Sequence, residues 1–195
     1  MMIFGKTTTA VLFGLFSLAA QAASFDCAKA STPVEKAICA ESRLSDLDEQ
    51  LAFSYKHTAE TSVDIDSLKA GQRAWLKSRN QCRDNACLVK AYQQRIEELD
   101  RYTETFTGRL VGGGGIDNLA LNIKAANGRT VHAYCNRHCA DDWFVTDRDE
   151  VSSLIRKFLN KPVTVTLMRQ RSNGRIAGPG EDEVLTFVTA LSFPH

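Results

Sequence analysis

The stretch QRAWLKSRNQCRDNACLVKAYQQRIEEL, residues 72–99, decides the fold of the first half of the chain. Its apolar and aromatic residues recur at three- and four-residue steps on both sides of a polar break at 80–85, which predicts two helices joined by a turn. An Asp66 cap starts the first helix, and the second runs from about Ala86 to Tyr102. The predicted buried positions are Leu68, Gln72, Trp75, Leu76 and Arg79, followed by Leu88, Tyr92, Ile96, Leu99 and Tyr102.

Two further helices are predicted before this hairpin. Thr32, Pro33 and Glu35 form a capping-box start for a short helix that runs through Cys39. A second helix ends near Thr61, and its buried face is formed by Leu44, Leu47, Leu51, Tyr55 and Thr58. The first half is therefore predicted to be a small helical bundle.

Six cysteines occur in three closely spaced pairs, which predicts three disulfides in an exported chain. In the helical half we favour the local pairs Cys27–Cys39 and Cys82–Cys87. The alternative pairs Cys39 with Cys82 and Cys27 with Cys87, and it stays open because four cysteines allow three connectivities.

The chain begins with the features of a secretion signal. Lys6 supplies a positive charge, an apolar run extends over 9–20, and Ala20-Gln21-Ala22 fits the cleavage pattern. The run is too short to span a bilayer. We expect residues 1–23 to be removed after Ala22 or Ala23, which makes the mature protein periplasmic or secreted. Since Cys27 lacks the small-residue context of a lipoprotein site, we expect neither a lipid anchor nor membrane insertion.

The charge balance predicts no nucleic-acid partner. The chain has 24 Lys and Arg against 23 Asp and Glu, and removal of Lys6 with the leader makes the mature chain neutral. Arg169, Arg171 and Arg175 form a local basic patch, but the acidic run 181–183 follows on the returning arm of the same hairpin. These charges offset one another, so the patch is not the continuous basic surface that nucleic acid requires.

From Phe106 onward the apolar spacing changes to period two, which predicts strands. Gly108–Val111 open the first strand, Gly112–Gly115 are predicted to form a flexible turn, and Asn127-Gly128 closes a hairpin. The residues Asp147–Asn160 switch to helical spacing. The predicted inward residues are Leu119, Leu121, Ile123, Val131, Ala133 and Cys135 on the early strands, Val151, Leu154, Ile155, Phe158 and Leu159 on the helix, and Val163, Val165, Leu167, Leu185, Phe187, Thr189, Leu191 and Phe193 on the last two strands.

Three strands, a helix and two strands form the element order of the OB-fold, a five-stranded partly open barrel. The likeness rests on element order alone. We therefore predict an α+β protein of two domains, with a signal peptide at 1–23, a disulfide-stapled helical domain at 24–104 and an OB-like β-barrel domain with one helix at 105–195. Such a barrel makes binding of a glycan or of peptidoglycan an alternative function.

The segment 132–139 contains cysteine and histidine, but we predict neither a metal nor a catalytic site there. His132 and Cys135 are an odd number of residues apart on a predicted strand, so they point to opposite faces and do not share a zinc ion. A Cys135–Cys139 disulfide that closes a three-residue loop is favoured. Because a paired Cys139 is not a free nucleophile beside His138, we predict no enzymatic activity and no cofactor.

An ordered series of motifs runs through the helical half. They are Phe25-Asp26-Cys27, Glu35-Lys36-Ala37-Ile38-Cys39, Leu47-Asp48 with Leu51 and Tyr55, Gln72 with Trp75-Leu76 and Arg79, Cys82, Cys87-Leu88, Tyr92, and Arg95-Ile96 with Leu99. This series resembles the lysozyme inhibitor LprI family over about 25–99. The resemblance implies a protein partner, a lysozyme or another cell-wall-degrading enzyme, which the chain inhibits. An immunity protein against an exported toxin is a further alternative.

Trp75 is a candidate partner contact, because it shares a helical face with Gln72 and Arg79 and tryptophan is enriched at interface hot spots. The opposing interpretation, which we favour, places Trp75 in the core and pairs Arg79 with Asp48 or Glu49.

Two loops supply the other candidate contacts. The opposing interpretation, which we favour for each, is an ordinary solvated loop without a binding role. They are the glycine turn, with Gly112, Gly113, Gly114 and Gly115, and the hairpin Ser172–Glu183 with Arg171 and Arg175. The helical half also offers a local acidic face to a basic lysozyme, formed by Asp46, Asp48, Glu49, Glu97, Glu98 and Asp100.

Overall fold

The computed structural model describes residues 23–194, so the predicted signal peptide lies outside the described residues apart from Ala23. Four helices are followed by a region composed mostly of strands, which confirms the predicted succession of a helical half and a strand half. Within the described part of the chain, no helix combines the length and the apolar character needed to cross a membrane.

Each of the four helices begins at a recognisable cap or follows directly from its predecessor. In the capping box of the first helix, Thr32 Oγ1 accepts from the Glu35 amide at 3.1 Å and Glu35 Oε2 accepts from the Thr32 amide at 2.9 Å. The prediction that Asp66 caps the third helix is wrong. Asp64 accepts from the Ser67 amide at 3.0 Å and from the Ser67 hydroxyl, so the helix starts two residues earlier than predicted. The helices are α1 Pro33–Ala40, α2 Ser42–Thr61, α3 Ile65–Arg79 and α4 Asn85–Asp100.

The helical half has its own hydrophobic core, in which Ile38, Leu44, Tyr92 and Leu99 are fully buried. Two disulfides fix its ends. Cys27–Cys39 ties the segment before α1 to that helix, and Cys82–Cys87 closes the turn between α3 and α4. These are the local pairs favoured from the sequence, and the cross-linked alternative is absent among the described residues.

Five of the seven strands in residues 23–194 form a closed ring. The ring closes because β1 is long enough to pair with both β2 and β6, while β3 pairs in parallel with β7. A short β4–β5 hairpin extends the sheet from the end of β1. The strands are β1 Thr103–Gly115, β2 Ala120–Ala125, β3 Thr130–Tyr134, β4 Phe144–Thr146, β5 Ser152–Leu154, β6 Pro162–Arg171 and β7 Val184–Ser192.

The side chains inside the ring form a second, separate hydrophobic core, whose fully buried members include Leu110, Leu121, Ile123, Val163 and Val165. The third disulfide, Cys135–Cys139, closes the loop after β3, and Cys135 belongs to this core. Each half of the molecule therefore has a core and at least one disulfide of its own.

The predicted helix at Asp147–Asn160 is wrong. The segment forms β5 and a single 3-10 turn at Arg156–Phe158. Asp147 explains the difference, because its Oδ1 accepts from the amides of Asp149 and Val151 and so fixes a tight turn, with Glu150 at a φ of 61°. Of the apolar residues that suggested a helical face, Leu154, Ile155 and Phe158 belong to or pack against the core of the ring, whereas Leu159 is exposed.

The predicted flexible turn at Gly112–Gly115 is also wrong. All four glycines belong to β1 and pair with β2 or β5, and the chain turns only at 116–119. Gly114 and Gly115 have φ values of 144° and 150°, where a side chain is strained. A Cβ atom at Gly114 would also collide with the Ser152 carbonyl. Glycine is therefore required at Gly114 because β5 passes close to it, and at Gly115 because the following turn does.

Candidate functional site

Trp75 connects α3 to α4. Its Nε1 donates to the Ala91 carbonyl at 3.2 Å, and its ring meets the Tyr92 ring edge-on with centroids 5.2 Å apart. The Arg79 guanidinium lies over the same indole, 5.3 Å from the ring centroid. Trp75 is half-buried, so its polar atom and much of its ring already stabilise the helical hairpin.

A buried polar chain runs from this hairpin to α2. Arg79 Nη1 donates to the Tyr92 hydroxyl at 2.9 Å, and that hydroxyl donates to Asp48 Oδ1 at 2.6 Å. The second oxygen of Asp48 accepts from the Ser24 amide at 2.9 Å. The predicted direct pairing of Arg79 with Asp48 or Glu49 is therefore wrong, because Tyr92 stands between the two charges. Burial, together with the Asp48 carboxylate, raises the pKa of Tyr92 well above its usual value, so the hydroxyl stays protonated.

An open groove of about 490 Å³ lies beside this chain. Asp48, Trp75 and Arg79 contribute to its wall, and the exposed Lys69 and Arg73 of α3 stand at its edge. Gln72 also lines it, but its Oε1 is occupied by Arg95 Nε at 3.1 Å. The amide oxygen of Gln72 and the polar groups of Trp75 and Arg79 thus have partners within the helical half.

The end of α2 is held by side chains from the strand half. Arg129 Nη2 donates to the carbonyls of Ala59 and Glu60 at 2.9 and 2.8 Å, where the last carbonyls of a helix lack intrahelical partners. The Glu104 carboxylate accepts from the Val63 amide at 2.9 Å and from the Ser62 hydroxyl at 3.1 Å. Cationic groups at a helix C-terminus also interact favourably with its dipole. The two halves are therefore joined by specific hydrogen bonds at the α2–α3 turn.

Next to this joint lies a cavity of about 590 Å³, which we call the junction cavity. It is formed by α2, the end of α4, the end of β6 and the start of β7. Its wall combines apolar side chains with both signs of charge, and its lining residues include Glu49, Phe53, His57, Ile96, Asp100, Arg169, Arg171, Asp182, Glu183 and Val184.

Arg171 is the predicted contact residue that the structure places in the junction cavity. Its Nη2 lies 3.9 Å from Asp100 of α4, and its Nη1 lies 3.1 Å from Asp182 of the hairpin loop. It therefore bridges the helical half and the strand half across the wall of the cavity.

The other predicted contacts lie apart from the junction cavity. The hairpin loop after Arg171 is held by its own bonds, since the Ser172 amide donates to the Glu183 carbonyl at 2.8 Å and Ile176 is buried. Arg175 folds back over the Phe187 ring, 4.7 Å from its centroid. Asn118, in the turn after Gly115, donates to the Ala177 carbonyl at 3.4 Å, so the glycine-flanked turn meets this loop.

The histidine and cysteine segment after β3 makes local contacts. His132 Nδ1 lies 3.0 Å from Asn122 Oδ1, and burial lowers the pKa of the imidazole. Cys139 is bonded to Cys135. Within residues 23–194, no three His, Cys, Asp or Glu side chains come together in an arrangement suited to a metal ion.

Two functional features were missed from the sequence. Tyr92 was predicted only as a buried position, and nothing in its spacing shows that its hydroxyl joins Asp48 to Arg79. The junction cavity was missed because Phe53, Asp100 and Arg169 come from distant parts of the chain. The exposed Phe53 on an otherwise polar helix face was the one local signal that pointed to this surface.

The helical half also matches a known family. Residues 27–99 match the family model described as lysozyme inhibitor LprI. This confirms the resemblance predicted from the sequence motifs. The LprI match spans α1 to α4 and both disulfides of the helical half, and it ends before β1. LprI is by its description an inhibitor family, and that description implies a protein partner such as lysozyme. No curated protein and no solved structure matches the chain.

Proposed function

We propose that the chain is an exported periplasmic protein that inhibits a lysozyme, or a related cell-wall hydrolase, by binding to it. The observation that carries the proposal is the match of residues 27–99 to the LprI family. Because the match is confined to the helical half, we expect side chains of that half to take part in the inhibitory contacts.

The construction of the helical half supports this role. Two disulfides and the chain from Asp48 through Tyr92 to Arg79 fix the helices relative to one another before any partner binds. A surface that is already ordered does not lose further conformational entropy on association, which favours tight binding. The disulfides also require an oxidising compartment, which agrees with export to the periplasm.

The proposal is tested by titrating the chain from Ser24 onward, with its disulfides intact, into purified lysozymes of several types. Release of soluble fragments from peptidoglycan is the readout. We expect at least one lysozyme type to be inhibited with one-to-one stoichiometry at micromolar or lower concentration. Full peptidoglycan turnover by every type at micromolar concentrations of the chain contradicts the proposal.

A control separates inhibition of the enzyme from coating of its substrate. A chain that binds peptidoglycan slows digestion of the polymer but not of a short soluble chitooligosaccharide. The inhibitor proposal predicts that both substrates are protected, and that the chain does not sediment with insoluble peptidoglycan. Sedimentation together with undisturbed hydrolysis of the soluble substrate would support the alternative, a peptidoglycan-binding module.

Export is tested separately by expressing the full chain and sequencing the N-terminus of the protein in the periplasmic fraction. We expect it to begin at Ala23 or Ser24. A cytoplasmic chain that retains Lys6 contradicts this part of the proposal.

A further inference from the structure

The junction cavity displays an aromatic side chain that the fold does not bury. Phe53 is 64 % exposed, and it is the only exposed Phe, Tyr or Trp among the described residues. Its ring packs on His57 one turn later in α2, with centroids 4.3 Å apart. This contact holds the ring in place at the surface. A preordered aromatic ring beside a cavity is the kind of anchor that dominates protein interfaces.

The wall of the same cavity contains a buried guanidinium with an unpaired hydrogen-bond donor. Arg169 is only 5 % exposed, yet its Nε has no hydrogen-bond partner among residues 23–194. Its Nη1 makes one long bond, 3.3 Å to Thr61 Oγ1. Burial lowers the pKa of this guanidinium. Because the Arg169 guanidinium lines the cavity and is poorly satisfied within the fold, an acceptor that enters the cavity and meets this guanidinium would be favoured.

The outer part of the cavity is acidic. Four carboxylates line it, those of Glu49, Asp100, Asp182 and Glu183, against the guanidiniums of Arg169 and Arg171. Arg169 is buried, and Arg171 is already engaged by Asp100 and Asp182. Glu49 and Glu183 are exposed. An approaching partner therefore meets negative charge at the mouth of the cavity.

We propose that the junction cavity is the contact surface for a loop of a basic protein. An apolar side chain of that loop packs on Phe53, a cationic side chain meets the carboxylates at the mouth, and a main-chain carbonyl accepts from the Arg169 guanidinium. This inference rests on the proposed function in one respect, because only the proposed function identifies the basic partner as a lysozyme.

Two other occupants fit the observations less well. A free anion would satisfy Arg169, but it would have to pass the carboxylates at the mouth. A second copy of the chain would bring the same acidic surface against itself, because a two-fold contact places identical patches together. Charge complementarity therefore favours a basic loop over both.

The first experiment measures binding of the full mature chain to a purified basic lysozyme at several salt concentrations. Phe53→Ala is expected to weaken binding on the order of 10-fold or more, as truncation of an interface anchor does. Reversal of both loop charges, Asp182→Lys with Glu183→Lys, is expected to lower the association rate and to flatten its salt dependence.

Matched controls come from the strand half. Ile116 is 66 % exposed, so Ile116→Ala removes a comparable apolar side chain at another place. Asp117→Lys reverses an exposed charge in the same turn. Both are expected to leave binding unchanged. Trp75→Phe tests the other groove, and it is expected to change affinity less than Phe53→Ala. Thermal unfolding of each variant checks that it folds.

A second probe separates this inference from the proposed function. A labelled peptide of alternating lysine and leucine is compared with its glutamate counterpart in fluorescence polarisation. If no lysozyme is bound, the proposed function is wrong. In that case the inference about the junction cavity holds only if the lysine peptide binds to the chain and Phe53→Ala abolishes that binding. If the chain then prefers the glutamate peptide, or binds neither peptide, the inference about the junction cavity is wrong as well. If a lysozyme is inhibited equally by wild type and Phe53→Ala, the proposed function holds and the inference is wrong. Dimerisation through this surface in sedimentation also overturns it.

Discussion

The helical half and the strand half treat buried polar groups in opposite ways. In the helical half a charged chain passes through the core, and each of its members from Asp48 to Arg79 has a hydrogen-bond partner. Within residues 23–194, the strand half has only two buried polar or charged side chains, Arg169 and Ser172. The two buried side-chain atoms without partners in the described residues, Arg169 Nε and Ser172 Oγ, lie in β6 or directly after it, on the strand half. Arg169 is the one of the two that faces the helical half.

This difference locates the parts of the molecule that specify the fold and the part that is available for binding. Satisfied buried polar groups fix one arrangement of neighbouring helices, since any other arrangement leaves them unpaired. An apolar core tolerates more variation in packing. A buried guanidinium with an unpaired donor destabilises the fold rather than specifying it, and because Arg169 lines the cavity, a partner can supply an acceptor to this guanidinium.

The largest effect is expected from Asp48→Ala. The substitution leaves the Tyr92 hydroxyl and the Ser24 amide without their acceptor and leaves Arg79 without its nearby counter-charge. We expect the free energy of unfolding of the helical half to fall by about 3–5 kcal/mol, as when one partner of a buried charged pair is removed. Denaturant unfolding followed by Trp75 fluorescence in a Trp143→Phe background measures it.

Asp48→Asn is the matched control, because it keeps one carbonyl oxygen for Tyr92 and retains the volume of the side chain. It should cost clearly less than Asp48→Ala. If both substitutions cost under about 1 kcal/mol, a typical net value for one neutral hydrogen bond, the buried chain does not have the role assigned to it.

The corresponding test of the apolar core is Ile123→Ala. Ile123 is fully buried inside the ring, so truncation leaves a cavity and should cost about 3 kcal/mol, while Ile123→Val should cost about 1 kcal/mol. Trp143 packs in the same core and reports the transition in a Trp75→Phe background. If the Trp75 signal shifts as far as the Trp143 signal, the two cores unfold as one unit and the contrast between them is wrong.

Removal of Cys27–Cys39 should lower the free energy of unfolding by about 1 kcal/mol more than removal of Cys135–Cys139. Cys27–Cys39 spans a sequence separation of 12 and Cys135–Cys139 one of 4. Loop-closure entropy predicts a loss of about 3 kcal/mol for the first and about 2 kcal/mol for the second when both cysteines are replaced by alanine. Paired chemical denaturation curves measure the two costs. A larger loss for Cys135–Cys139 would show that the strand half depends more on its staple than the helical half does.

The smallest effect concerns acid and the capping box of α1. Hydrogen bonds from the backbone of Thr32 and Ser31 lower the pKa of Glu35 from an ordinary 4.5 to about 2. Because the folded-state pKa is depressed, the stabilisation is fully present above pH 4.5 and is lost as the pH falls towards 2. Carbon-detected NMR titration of Glu35 measures this directly. An ordinary pKa contradicts the capping geometry, and Glu35→Gln should remove this part of the acid sensitivity.

Local signals predicted the helical half well. The Thr32-Pro33-Glu35 start and the apolar steps of α2 and α4 depend on neighbouring residues only, and so do the two short-range disulfides there. The cap of α3 was misplaced because Asp64 and Asp66 offer the same chemistry two residues apart. The role of Tyr92 could not be predicted, since it depends on three helices meeting at one hydroxyl.

Predictions for the strand half failed where one pattern fits two structures. The apolar spacing of 151–158 suits a helix, but it also suits a short hairpin and a 3-10 turn that pack on the ring, and Asp147 decides between them. The glycines at 112–115 suggested a loose turn, but two of them are required by the close approach of other backbone segments. The junction cavity depends on the docking of the two halves, for which no short stretch of sequence carries a signal.

The most direct test of where function resides is hydrogen–deuterium exchange of the full mature chain, with and without a lysozyme that it inhibits. We expect new protection at 49–57, 96–101 and 180–184, the segments that surround the junction cavity, with no change at 116–119 or 135–139. Protection confined to the strand half, or to 69–79 around the Trp75 groove, would contradict the assignment of binding to the junction of the two halves.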